Sequence, residues 1–264
     1  STPIPHHEPN SLRDMRENLR DSLVSEGMQE SISYSLTNIK TLDAVGAIKN
    51  GPEPLHISNP MSIDMQVLRT SLRGGILQTL STNLHISRSR GLKLFEIGNV
   101  YLSQTDTLEP DLPEERQVMV GVLAGPRNPL SWLTPPVDMD FFDAKGVLEA
   151  SLGIFGLVIN YLKDTDPIMH AGKTASLSCS NTRVGLVGEL HPKTLLHFDI
   201  DQPVTMFEID LQSLCEFHHQ ANFSSFSQNE LHQTRSFHFP SLNPWQQKIR
   251  LEFYTYVVPL VSMY

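Results

Sequence analysis

The sequence predicts an α+β fold built on an antiparallel sheet. Apolar residues recur at helical spacing in well-separated stretches, and the extended stretches between them come in pairs joined by short turn-marked connections. Helices that interleave with hairpin-linked strands suit an antiparallel sheet better than a doubly wound parallel one.

The first element is a helix over 12–26. Leu12, Met15, Leu19 and Leu23 recur every three or four residues, with Arg13, Arg16, Glu17 and Arg20 on the other faces. Ser11 and Asp14 have capping-box spacing, and Gly27 is placed to stop the helix in a left-handed conformation. A strand over 29–36 follows at once. After a loop marked by Gly51-Pro52 and Asn59-Pro60, Leu68, Leu72, Ile76, Leu77 and Leu80 predict a second helix to about residue 83. Bulky residues throughout 93–102 predict a strand covered on both faces. An acidic, Pro-containing connection leads to a return strand over 117–124. A helix over 144–155 buries Val147, Leu148, Ser151, Leu152 and Phe155; paired strands follow over 174–179 and 183–190, turning at Asn181. His191-Pro192 opens a short helix ending near Phe198, and 204–211 is a last strand.

Composition narrows the function. Of 264 residues, 39% are hydrophobic and 19% charged, the balance of an ordinary globular protein. A net charge of −9 excludes a general phosphate-binding surface, which needs clustered Lys and Arg. No apolar run reaches the roughly 18 residues a membrane helix requires. Cys179 and Cys215 lack C-x-x-C spacing and read as buried thiols of a reducing cytosol. Ser1-Thr2-Pro3-Ile4-Pro5 has neither the basic start nor the apolar middle of a signal peptide, and reads as part of a longer polypeptide.

Six segments, taken in order, resemble the β-subunit family of bacterial phenylalanine–tRNA ligases. They are Gly27-Met28-Gln29-Glu30 before a Ser-Tyr-Ser strand, Asn59-Pro60-Met61-Ser62, and Leu68-Arg69-Thr70-Ser71-Leu72. Leu94-Phe95-Glu96-Ile97-Gly98-Asn99-Val100-Tyr101, Asp140-Phe141-Phe142-Asp143-Ala144-Lys145-Gly146, and the G-L-V-G-E-L-H-P run from Gly185 to Pro192 complete the set. The resemblance reaches from the start to about Pro240. It implies a class II aminoacyl-tRNA synthetase-like core module (1–240) without an active site, an antiparallel sheet flanked by helices. It further implies an α subunit that carries the adenylation site, an (αβ)2 assembly in the cytoplasm, and tRNA bound through the whole complex, with no DNA and no membrane partner. ATP and Mg are expected for the complex and no cofactor for this module. Two other readings stay open: a free-standing synthetase-like regulatory subunit, and an active class II-like ligase with an unrecognised site.

Active class II relatives place an Arg in an f-R-x-E strand against the phosphates of ATP, because developing charge must meet fixed donors. Here the strand ending in Glu96 carries Leu94 at that position, and no Gly-rich segment followed by Arg occurs after Val204. The expectation is therefore no catalytic residues. Metal ligands are not expected either, since His6-His7 and His218-His219 are adjacent pairs that chelate poorly. Gly172-Lys173-Thr174 lacks the first glycine of a phosphate loop and reads as a hairpin edge. Cys179 with His191 could imitate a nucleophile–base pair, though structural roles are expected for both; His191 and Glu189 read as a helix cap. The resemblance adds an interface: Leu12, Met15, Leu19 and Leu23 are expected to offer an apolar stripe to another subunit, although on residue pattern the same row could equally serve an internal core.

The tail (241–264) departs from the family. Ile249, Leu251, Phe253, Thr255 and Val257 alternate with polar and aromatic residues and predict an edge strand ended by Pro259, against the rival reading of an altered tail.

Overall fold

Helix α1 (Ser11–Ser25) ends as its sequence requires. Gly27 takes φ +80°, and the backbone N–H groups of Gly27 and Met28 donate to the carbonyls of Val24 and Leu23, closing the last turn. The computed structural model describes residues 11–49, 51–86, 91–103, 112–129, 131–133, 135–179 and 182–223, without the side chains of 218–223. The expected tail strand, the turn at Asn181 and the His6-His7 pair lie outside them.

The remaining elements in chain order are β1 (Gln29–Glu30), β2 (Leu36–Thr37), α2 (Ile39–Ala44), β3 (Val67–Leu68), α3 (Arg73–Ile86), β4 (Leu92–Leu102) and β5 (Glu114–Ala124). Then come α4 (Phe141–Gly153), β6 (Asn160–Lys163), β7 (Met169–Cys179), β8 (Thr182–Leu190), α5 (Pro192–His197), β9 (Val204–Asp210) and α6 (Leu211–Phe223). Among the described residues, seven strands form one sheet in the order β1-β4-β5-β9-β8-β7-β6. Neighbours are antiparallel as the sequence predicts, except that β1 runs parallel to β4, with Gln29 opposite Leu94.

Alternation along the strands sends side chains to two covered faces. Phe95, Met119, Leu123, Leu177, Val187, Phe207 and Ile209 pack under α1, α4 and α6. Leu94, Val100, Val118, Val120, Val122, Leu186 and Met206 pack with Leu72, Ile76, Leu77 and Leu80 of the α3 side. At β4 the expected burial on both faces is present. Helix α4 starts three residues before its predicted position because Asp140 and Asp143 form the capping box that the sequence carries there. Helix α3 starts later than predicted: Val67–Leu68 pairs with Leu36–Thr37 in a two-stranded sheet, which withdraws Leu68 from the helix.

Candidate functional site

Strand β4 is where a class II active site would show itself, so its even-numbered face is the first place to look. Leu94 is 4% exposed and sits in the α3-side core opposite Val122. No cationic group projects from this position.

Two residues on, Glu96 is 2% exposed, and a carboxylate so placed needs a partner. Arg69, from the segment after β3, supplies it: Nη1 donates to Glu96 Oε1 at 2.7 Å. Arg69 Nε donates to the carbonyl of Asn99 at 2.9 Å, and Nη1 also reaches Ser33 Oγ at 3.0 Å. The Ser33 hydroxyl and backbone N–H both donate to the same carboxylate. Gly98 is part of this arrangement, because a Cβ there would stand 2.5 Å from Arg69 Nη2. Strand, loop and extended segment are thereby locked by one buried pair.

A second cluster lies on the same face. Arg73, the first residue of α3, donates through Nε (2.8 Å) and Nη2 (2.6 Å) to Glu208 of β9, and through Nη1 (3.0 Å) to Asp166 before β7. Burial opposes the Arg73 charge, but the two carboxylates outweigh it and raise the guanidinium above its ordinary value. Arg69 and Arg73 are both consumed by the chain's own carboxylates. Neither is free to meet a phosphate.

The other sequence candidates fall into place individually. Met15, Leu19 and Leu23 are 2%, 0% and 0% exposed inside the core that α1 shares with α4, α6 and the sheet, and Leu12 is half-buried against it. The expected interface stripe is therefore corrected: the sheet needs that face covered, so this row is consumed within the chain. His191 caps α5 by accepting from the backbone N–H of Lys193. Glu189 instead pairs with Lys173, which places Gly172-Lys173-Thr174 on a strand edge within β7. Cys179 and Cys215 are buried thiols. Among the described residues no three His, Cys, Asp or Glu side chains converge as a metal site, and no helix is long and apolar enough to cross a membrane.

Sequence reasoning missed both ion-pair clusters. Their signal was a Glu at the centre of an otherwise apolar strand, which demands a cation, and two arginines flanking Thr70-Ser71-Leu72 in an apolar context.

A seven-stranded sheet covered on both faces, with one parallel strand at its edge, is the architecture of class II aminoacyl-tRNA synthetases. The crystal structure of pyrrolysyl-tRNA synthetase from Desulfitobacterium hafniense shares it at a TM-score of 0.61, covering 79% of this chain and 70% of that one, at 14% identity. Within that class the sequence is more specific: the model of the phenylalanyl tRNA synthetase beta chain CLM domain matches residues 1–211, and the chain belongs to this family. It is 36% identical over 211 residues to the phenylalanine–tRNA ligase beta subunit of Dehalococcoides mccartyi (strain CBDB1), covering 80% of this chain and 25% of that one. To the same subunit of Syntrophotalea carbinolica it is 35% identical over 213 residues, covering 79% and 26%. The chain thus spans about a quarter of the length of these curated relatives.

Proposed function

We propose that this chain is a non-catalytic core module of the β subunit of a phenylalanine–tRNA ligase, a scaffold for an α subunit that attaches phenylalanine to its tRNA. One observation carries the reading. The sheet face that would have to receive ATP is filled by Leu94, Val120, Val122 and Met206 under α3, and Arg69 and Arg73 beside it are held in internal ion pairs. A phosphate has no desolvated cation to meet, and transition-state charge would go unneutralised. The same reading gives the module an (αβ)2 assembly in the cytosol, with ATP and Mg used at the α subunit and tRNA held by the whole complex. The net charge of −9 supports leaving most tRNA contact to other parts of that complex.

Phenylalanine-dependent ATP–pyrophosphate exchange tests it. The chain purified free of host synthetases should give background exchange, and an α-containing complex should give full exchange. Exchange above background from the chain alone would overturn the assignment.

A further inference from the structure

The segment that follows β1 carries its side chains the wrong way round for its sequence. Along 31–35 the serines face in and the apolar residues face out: Ser31, Ser33 and Ser35 are half-buried, while Ile32 and Tyr34 are 90% and 79% exposed. Where one face of a strand is buried, its register normally follows burial of the apolar set, and a slip of one residue exchanges the two faces. Here such a slip would turn Ile32 and Tyr34 inward. Apolar burial alone therefore favours an alignment that the chain does not adopt. Strand β1 opposes the slip weakly, since it pairs with β4 through two residues, Gln29 opposite Leu94 and Glu30 opposite Phe95.

The opposing contacts are polar, and they centre on Ser33. Its backbone N–H donates to Glu96 Oε1 at 3.2 Å, and its hydroxyl lies 3.0 and 2.8 Å from the two carboxylate oxygens. Arg69 closes the network from the other side: Nη1 donates to Glu96 and, at 3.3 Å, to the Ser33 carbonyl, while the Arg69 backbone N–H donates to the Ser35 carbonyl at 2.9 Å. Gly75 of α3 admits this close approach, because a Cβ there would stand 2.4 Å from Ser33 Oγ. After a one-residue slip, Ile32 or Tyr34 would occupy the place of Ser33, and neither carries a donor next to its backbone. Among the described residues the Ser33 hydroxyl is what meets Glu96 Oε2. A buried carboxylate stripped of that donor is strongly unfavourable.

We infer that the Ser33–Glu96–Arg69 network is a register pin, selecting one alignment of this sheet edge against the apolar pattern of the edge's own sequence. Its contribution is to conformational uniqueness more than to stability. Exchanging a buried ion pair for apolar residues of similar size often leaves a fold as stable as before. Here that exchange leaves the core intact and frees the edge to slip.

The test is residue-resolved amide hydrogen exchange on the chain carrying Arg69→Met with Glu96→Leu, which removes both charges and orphans neither. Exchange at the Ser31 and residue-69 amides, both bonded across this edge in the native chain, should quicken at least about tenfold. Amides of Val120 and Phe207 in the central strands should keep their protection. Nitration of Tyr34, whose ring is exposed in the native register, should fall as the slip turns it inward. Adding Ile32→Ser and Tyr34→Ser removes the apolar drive toward the slip and should restore protection at Ser31. Gly75→Ala alone, which favours the helix but crowds Ser33, should also quicken exchange at Ser31. Native protection at Ser31 in the double variant overturns the pin. An equal loss at Val120 and Phe207 makes the network a general stabiliser and overturns it too. Tyr34 that stays reactive, or protection not restored by the two serines, shows an edge that frays without slipping, and overturns the inference as well.

Discussion

Tyr161 on β6 carries a hydroxyl that is buried without a hydrogen-bond partner, while its ring packs on the α1-side core and Lys145 Nζ sits 4.8 Å from the ring centroid. Burial first, and then the negative charge of Glu149, push its pKa up from 10 to about 12. The sign follows from linkage. Below pH 10 the phenol is neutral in folded and unfolded chains, and its contribution is fully present. Between 10 and 12 the unfolded chain loses the proton while the folded one keeps it, so stability falls as pH rises. In Tyr161→Phe, denaturant titrations across that window should show a shallower alkaline loss than wild type. At pH 7 the variant should be no less stable, and up to about 1 kcal/mol more stable, since an unmet buried hydroxyl is removed. A steeper alkaline loss would contradict the desolvated phenol. Glu96 is the contrasting case in hydrogen bonding: its buried carboxylate is met by Arg69 and Ser33.

At the level of elements, helix α1 is the clearest test of how packing divides a helix. Leu19 is 0% exposed at the centre of its inward row, while Asn18 is exposed. Leu19→Ala should cost about 2–5 kcal/mol in urea unfolding, and Asn18→Ala less than about 0.5. A small effect at Leu19 would mean that the sheet does not depend on this helix for cover. This helix was legible in the sequence to within a residue, as were β4, β8 and β9, because each is long, periodic or bounded by glycine, proline or a cap. What was not legible depends on partners distant in the chain. The row Met15, Leu19, Leu23 shows that a helix has an apolar face, but not whether sheet or subunit covers it. Leu68 opens an apolar helical pattern and is captured instead, with Val67, by Leu36–Thr37. Elements as short as α2 and β6 carry too few residues for periodicity to register, and α6 follows β9 with no glycine or proline to mark it. The candidate site was half visible: Leu94 announced the missing arginine, whereas the partners of Arg69 and Arg73 needed the folded sheet.

For the whole molecule, one sheet divides two cores, and both thiols belong to the same one: Cys179 at 5% and Cys215 at 7% exposure lie on the side of α1, α4 and α6. Neither should react with Ellman's reagent in native buffer, and both should react once the protein is unfolded in denaturant. Because the two are in one packed layer, they should become reactive together along a denaturant series. Staggered reactivity would mean that the layer opens in pieces.

Helix α1 also sets a clock. It rests on α6, and Ser11 Oγ meets Cys215 Sγ across 204 residues of chain. A ribosome adding about 5–20 residues per second needs roughly 10–40 s to make the second partner after the first. Through that interval the apolar side of the first helix has no complete seat, and the growing chain carries it uncovered. The helix that closes the finished core is therefore one that the growing chain must carry uncovered until its last seat is made.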